Sequence, residues 1–91
     1  MDTIEVEFFG IARQRAKRPS VTISIGGSLR LTDVLRRLSE QFPELESDCI
    51  HDGVLSKICT ANLNGDQFLS DTNSPIQPGD RLLIMSADAG G

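Results

Sequence analysis

A single amphipathic helix, set between alternating strands, limits most what this chain can fold into. Leu31, Val34, Leu35, Leu38 and Phe42 fall at i, i+3, i+4, i+7 and i+11 and form one apolar stripe, with Arg36, Arg37 and Glu40 opposite. The spacing predicts a helix over 29–42. Asp33 lies in its first turn, where a negative charge suits the helix dipole. The cap falls on Thr32 or one or two positions earlier. Pro43 ends the helix, because the residue before a proline is pushed out of the α region.

The flanking segments alternate with period 2 instead. Over 3–9, Ile4, Val6 and Phe8 take one face and Glu5 and Glu7 the other. Phe9 shares the face of the two glutamates, so it is expected as an exposed aromatic. Residues 10–19 read as a turn or loop. Val21, Ile23 and Ile25 then alternate with Thr22 and Ser24, which suggests a wide hairpin. Beyond the helix, 44–57 shows no clear period, with Gly53 as a turn. Residues 58–63 form a short strand with Cys59, Ala61 and Leu63 on one face. Asn64-Gly65-Asp66 is a hairpin signal, and 67–69 returns. Residues 71–75 are turn-like, with room for one helical turn. Pro78-Gly79-Asp80 is a further turn. Residues 81–85 are almost all apolar, as expected of a central strand buried on both faces.

These elements predict an α+β fold, a mixed sheet of four or five strands with one main helix packed on one face. The second face must meet water or a partner. Phe9, Leu83 and Met85, with Phe68 beside them, are its apolar candidates. A cluster of such groups would mark a protein interface; the alternative is that strand twist tucks them into the rim of the core. The 91 residues make one domain, divided here into a body over 1–85 and an arm over 86–91.

The inventory of reactive groups is short. His51 is the only histidine, and nothing beside it resembles a nucleophile elbow. Cys49 and Cys59 are too few and too far apart for a disulfide scaffold or a CxxC motif. Cys-x-His is not a usual ligand spacing, so no metal is expected. There is no GxxxxGK[ST] loop to hold a nucleoside triphosphate. Net charge is −4, which argues against a nucleic-acid surface. Arg13, Arg15, Lys17 and Arg18 nevertheless crowd six positions, which leaves the remainder strongly acidic. Such a remainder suits docking onto a basic partner, or is simply a solvated surface. Acidic residues interrupt the apolar N-terminal residues, so no signal peptide is expected, and no apolar run approaches a membrane span. No membrane association and a reducing cytoplasm are the expectation.

What remains is Gly90-Gly91. Two residues without Cβ could enter a tunnel too narrow for any other pair. A six-residue arm reaches roughly 20 Å at ~3.3 Å per residue. A pair of glycines at the end of a sequence is also what an idle, frayed end looks like. If Gly91 carries a free carboxylate, that group is ionised at neutral pH and a poor electrophile. It needs activation, most simply adenylation, and a partner must supply it.

Several stretches together give a resemblance. They are Phe8-Phe9-Gly10-Ile11-Ala12-Arg13 after the first strand, the helix closing on Pro43, and Asn62-Leu63-Asn64-Gly65. Pro78-Gly79-Asp80, the apolar last strand and Gly90-Gly91 complete the set. In this order the chain resembles the ubiquitin-like, β-grasp sulfur carriers of the MoaD/ThiS family. It is most similar to the small subunit of molybdopterin synthase.

The resemblance implies a non-catalytic carrier that binds no cofactor itself. An adenylyltransferase related to ubiquitin activators uses ATP to join AMP to the Gly91 carboxylate, and a sulfur donor protein converts it to a thiocarboxylate. The arm of Asp88, Ala89, Gly90 and Gly91 enters the large synthase subunit, where the active site lies. There the sulfur builds the dithiolene of molybdopterin. Phe9, Phe68 and Met85 match the family's apolar partner-binding patch. A carrier for thiamine or another sulfur product, and a protein modifier conjugated through Gly91, are the alternatives. The sequence departs from the family just before Gly90, where Ser86-Ala87-Asp88 replaces the usual proline-rich approach.

Overall fold

In the computed structural model, residues 2–87 are described. Strand β1 (Thr3–Phe8) leads into helix α1 (Gly10–Ala16) and strand β2 (Ser20–Ser24). The two-residue strand β3 (Leu29–Arg30) runs directly into helix α2 (Leu31–Gln41), and a 3-10 turn follows at Pro43–Ser47. Strands β4 (Ile50–His51), β5 (Val54–Leu55), β6 (Cys59–Leu63), β7 (Gln67–Leu69), β8 (Pro75–Ile76) and β9 (Arg81–Ser86) complete the order.

Five strands form one sheet in the order β2-β1-β9-β6-β7. The β1–β9 pair is parallel and its neighbours are antiparallel. This is the mixed sheet expected of a β-grasp fold, with β9 at its centre. The register follows the alternation of the sequence. Ile4, Val6, Phe8, Val21, Ile23, Ala61, Leu82 and Ile84 are buried on the helix side. Leu31, Val34, Leu35 and Leu38 of α2 complete that core. Phe42 caps one end, its ring edge-on to Phe8 with centroids 5.6 Å apart.

The first turn of α2 is closed by several different groups. The Asp33 carboxylate accepts from the Arg30 backbone N–H at 3.1 Å and from its guanidinium. The Leu31 and Thr32 N–H groups donate to the carbonyls of Ser74 and Thr72. These are donors that a helix cannot satisfy internally. Thr32 Oγ1 instead donates to the Gly53 carbonyl at 2.8 Å, which ties the β4–β5 hairpin to the helix. Gly53 has φ +76°, and a Cβ there would land on Thr32 Oγ1.

Three expectations change. Residues 10–16 are a helix rather than a loop. Ala12 and Ala16, four apart, are buried, and such small side chains leave little apolar signal. The turn over 71–75 contains no helical turn; it leads into β8, which pairs with β3. Finally, β9 is central but covered on one face only: Leu82 and Ile84 are fully buried, whereas Leu83 and Met85 are half-buried.

Candidate functional site

Two features stand at the end of the sheet where β9 finishes: the uncovered face and the root of the arm. The face is built by register. Leu83 of β9 lies opposite Glu7 of β1 and Asn62 of β6, and Asn62 lies opposite Phe68 of β7. Met85 lies opposite Thr60. Phe9 is the residue after β1, but its backbone stays extended (φ −132°, ψ 154°), so the alternation carries through it. Its N–H donates to the Ile84 carbonyl at 2.9 Å, which holds it beside β9.

Phe9 is 40% exposed and Phe68 67%. With half-buried Leu83 and Met85 they make the apolar part of the face. Its other part, toward β2, carries Glu5, Glu7, Thr22 and Ser24, and Arg81 reaches Glu7 at 3.6 Å. Asn62 is only 6% exposed, and among the described residues its Oδ1 has no hydrogen-bond partner. Asn62 enters the sequence reading only as part of the stretch Asn62-Leu63-Asn64-Gly65 and not among the apolar candidates for this face, although alternation with Cys59, Ala61 and Leu63 already placed it there.

At the root, Ser86 Oγ accepts from the Ile11 backbone N–H at 3.0 Å. The Ala87 N–H donates to the Ile58 carbonyl at 2.7 Å. The arm expected over Asp88, Ala89, Gly90 and Gly91 lies outside the described residues.

The remaining candidates have structural partners or none of a chemical kind. Arg15 grips Asp48 with both carboxylate oxygens at 2.7–3.1 Å, and Lys17 reaches Glu44 at 3.2 Å. Arg18 bonds the Ser20 carbonyl and lies over the Phe42 ring. Much of the basic cluster is thus answered within the fold. The hydrogen bonds from Arg15 hold the Asp48 carboxyl below the usual carboxylate range. Cys49 and Cys59 are buried free thiols. Burial, and secondarily the Cys59 neighbour, pushes Cys49 up to about 12. Burial also raises Cys59. A reactive cysteine needs the opposite shift. His51 is exposed in the β4–β5 hairpin. Among the described residues, no three His, Cys, Asp or Glu side chains gather to hold a metal ion.

A cleft of about 250 Å³ opens between α2, β5 and the β6–β7 edge. Its lining, which includes Leu35, Val54, Leu55 and Leu69, carries no charged group. Among the described residues, no helix is long and apolar enough to cross a membrane.

A five-stranded mixed sheet packed on one helix, with its other face uncovered and a diglycine following in the sequence, is the architecture of the ubiquitin-like, β-grasp proteins. The model of the ThiS family matches residues 6–91, and the chain belongs to that family. None of the curated proteins matches it in sequence. Among solved structures, it is similar to SAMP1 from Haloferax volcanii, with a TM-score of 0.79 and 24% identity over 98% of this chain and 99% of that one. A putative molybdopterin converting factor subunit 1 from Pyrococcus furiosus has a TM-score of 0.75 and 15% identity over 94% and 98% of the two chains. A third likeness is to a complex of subunits 1 and 2 of the molybdopterin-converting factor from Helicobacter pylori. There the TM-score is 0.63, with 24% identity over 98% and 99%. At these identities the structures establish the shared fold.

Proposed function

We propose that this chain carries sulfur on the Gly91 carboxylate for molybdopterin synthesis. A partner adenylyltransferase of the ubiquitin-activating kind joins AMP from ATP to that carboxylate and releases pyrophosphate. A sulfur donor protein then supplies sulfur at the sulfide level, which attacks the acyl carbon, displaces AMP and leaves a thiocarboxylate. Adenylation is needed because an ionised carboxylate repels nucleophiles and has no good leaving group. The observation that carries this reading is the family match itself, which continues through Gly90-Gly91. The diglycine therefore lies within the stretch the family shares.

The docking face for partners is Phe9, Phe68 and Met85, with Leu83 between them. Gly90, Ala89 and Asp88 form the approach to Gly91. The molybdopterin branch is favoured by the fold shared with converting-factor subunits from two organisms. The Helicobacter pylori complex also supports a second, larger subunit as the partner that receives the arm. The modifier reading has support of its own, because SAMP1 from Haloferax volcanii and the small archaeal modifier protein 1 of Methanosarcina acetivorans share the fold. In that case Gly91 would be joined to lysines of other proteins. A carrier for thiamine synthesis is the remaining member of the class.

One experiment separates these. The chain is incubated with its adenylating enzyme, ATP and a sulfur source, and its intact mass is measured. Exchange of one oxygen for sulfur, lost when Gly91 is deleted, is the expected result. Transfer of that sulfur to a pterin precursor by a large synthase subunit identifies the molybdopterin branch. Covalent adducts with other proteins identify a modifier, and an unchanged mass with every activator rejects the carrier reading.

A further inference from the structure

Three backbone ties converge where β9 ends. The Phe9 N–H bonds the Ile84 carbonyl, the Ala87 N–H bonds the Ile58 carbonyl, and the Ile11 N–H bonds Ser86 Oγ. The third is the unusual one. Ile11 lies in the first turn of α1, whose N–H groups have no partner within the helix. The residue at the cap position is Phe9, which has no side-chain acceptor. Ser86 supplies that acceptor from 75 positions away in the chain. Gly10 makes the approach possible. Its φ is +59°, and a Cβ on it would land on Ser86 Oγ. The missing side chain at Gly10 and the hydroxyl at Ser86 are complementary halves of one contact.

We propose that Ser86 is a positioning residue for the arm. Its hydroxyl, beside the Ala87 N–H bond to Ile58, locks the end of β9 against α1 and so fixes the point from which the arm starts. The proposal rests on the carrier reading, since that starting point matters only if Gly91 must reach a reacting position. A loosened root lets the starting point of the arm shift, and each such shift adds to the placement error of Gly91. Reaction geometry tolerates errors of about 1 Å. The lock removes one source of misplacement while leaving the docking face untouched. Its effect therefore belongs in kcat for adenylation rather than in KM. It also gives a reason for one residue of the unusual Ser86-Ala87-Asp88 approach.

The test compares the wild type with Ser86→Ala and Ser86→Thr. The lock itself is read by amide hydrogen exchange at Ile11, which needs no partner. The output is pyrophosphate release with ATP and the adenylating enzyme from the same organism. Ser86→Ala is expected to speed Ile11 exchange and to lower kcat about fivefold, the size of one net hydrogen bond, with KM within about twofold. Ser86→Thr keeps the acceptor oxygen and is expected to stay near wild type in both. Unchanged Ile11 exchange in Ser86→Ala overturns the proposal at the level of the bond. Faster exchange with an unchanged kcat, or Ser86→Thr as slow as Ser86→Ala, overturns it at the level of function. If the wild type is not adenylated although Ser86 protects Ile11, the carrier reading fails and the proposal falls with it.

Discussion

Asn62 is a polar residue whose side-chain oxygen is buried without a partner among the described residues. It lies between Leu83 and Phe68 on the uncovered face, 6% exposed, with Oδ1 unpaired. A buried acceptor without a partner costs about 1–3 kcal/mol. Asn62→Val removes the acceptor and puts a β-branched side chain into a strand that favours it. The expected gain is about 1–2 kcal/mol, seen as a higher urea midpoint at an unchanged slope. A lower midpoint would mean that the amide is satisfied in solution. Phe9 offers a cleaner separation of stability from binding. It is 40% exposed and occupies the cap position of α1 without capping it. An aspartate is a good cap, worth about 0.5–2 kcal/mol over a non-capping residue. Phe9→Asp should therefore leave thermal stability equal or slightly raised, while under the proposed function it weakens binding to the adenylating partner. A clear fall in stability would assign Phe9 to the core and remove it from the proposed docking face.

Among the elements, α1 departs furthest from its sequence reading as a turn or loop. Its seven residues are too few to hold as an isolated helix. They hold because Ala12 and Ala16 are buried, Ser86 accepts from Ile11, and Arg15 grips Asp48. Asp48 is held below its ordinary value chiefly by the hydrogen bonds from Arg15. Asp33 is likewise lowered by Arg30. A depressed carboxylate stabilises the fold above its unfolded value, about 3.9, and loses that contribution as pH falls through the lower folded value. Acid unfolding of the wild type should therefore steepen below about pH 4. Arg15→Ala should flatten that limb in a circular-dichroism titration, and high salt should reduce the difference because the pair is part-exposed. Identical acid limbs would show that the ion pair adds nothing. The strands and α2 were readable because large side chains repeat with period 2 or 3.6. Two alanines carry no such signal, and the two-residue pairs β3–β8 and β4–β5 are too short to show any period. In the same way, alternation placed Phe9 and Met85 correctly on the uncovered face, but no local pattern could join Ser86 to Ile11.

At the scale of the whole molecule, a single buried cluster joins the sheet, both helices and the 3-10 turn. Only one side of the sheet is covered, so the uncovered face keeps its shape only as long as that cluster stays closed. The two cysteines test whether it opens as one unit. Cys49 follows the 3-10 turn and Cys59 begins β6, and both belong to the cluster. Cys49 is pushed up to about 12, mainly by burial, and Cys59 is raised for the same main reason. Thiolate is the form that reacts, so the folded protein should resist iodoacetamide at pH 8. A raised thiol stabilises the fold fully below the unfolded value, near 8.5, and that contribution is lost as pH climbs toward the folded one. Urea unfolding should therefore show less stability at pH 10 than at pH 8, with a smaller loss in Cys49→Ala than in the wild type. Alkylation of the two thiols should proceed at one common rate that rises with urea in step with global unfolding. If Cys49 reacts under native conditions while Cys59 stays silent, the segment after α2 opens by itself. The cluster would then be two units, and the sheet with its uncovered face would owe its shape to β1, β2, β6, β9 and α2 alone.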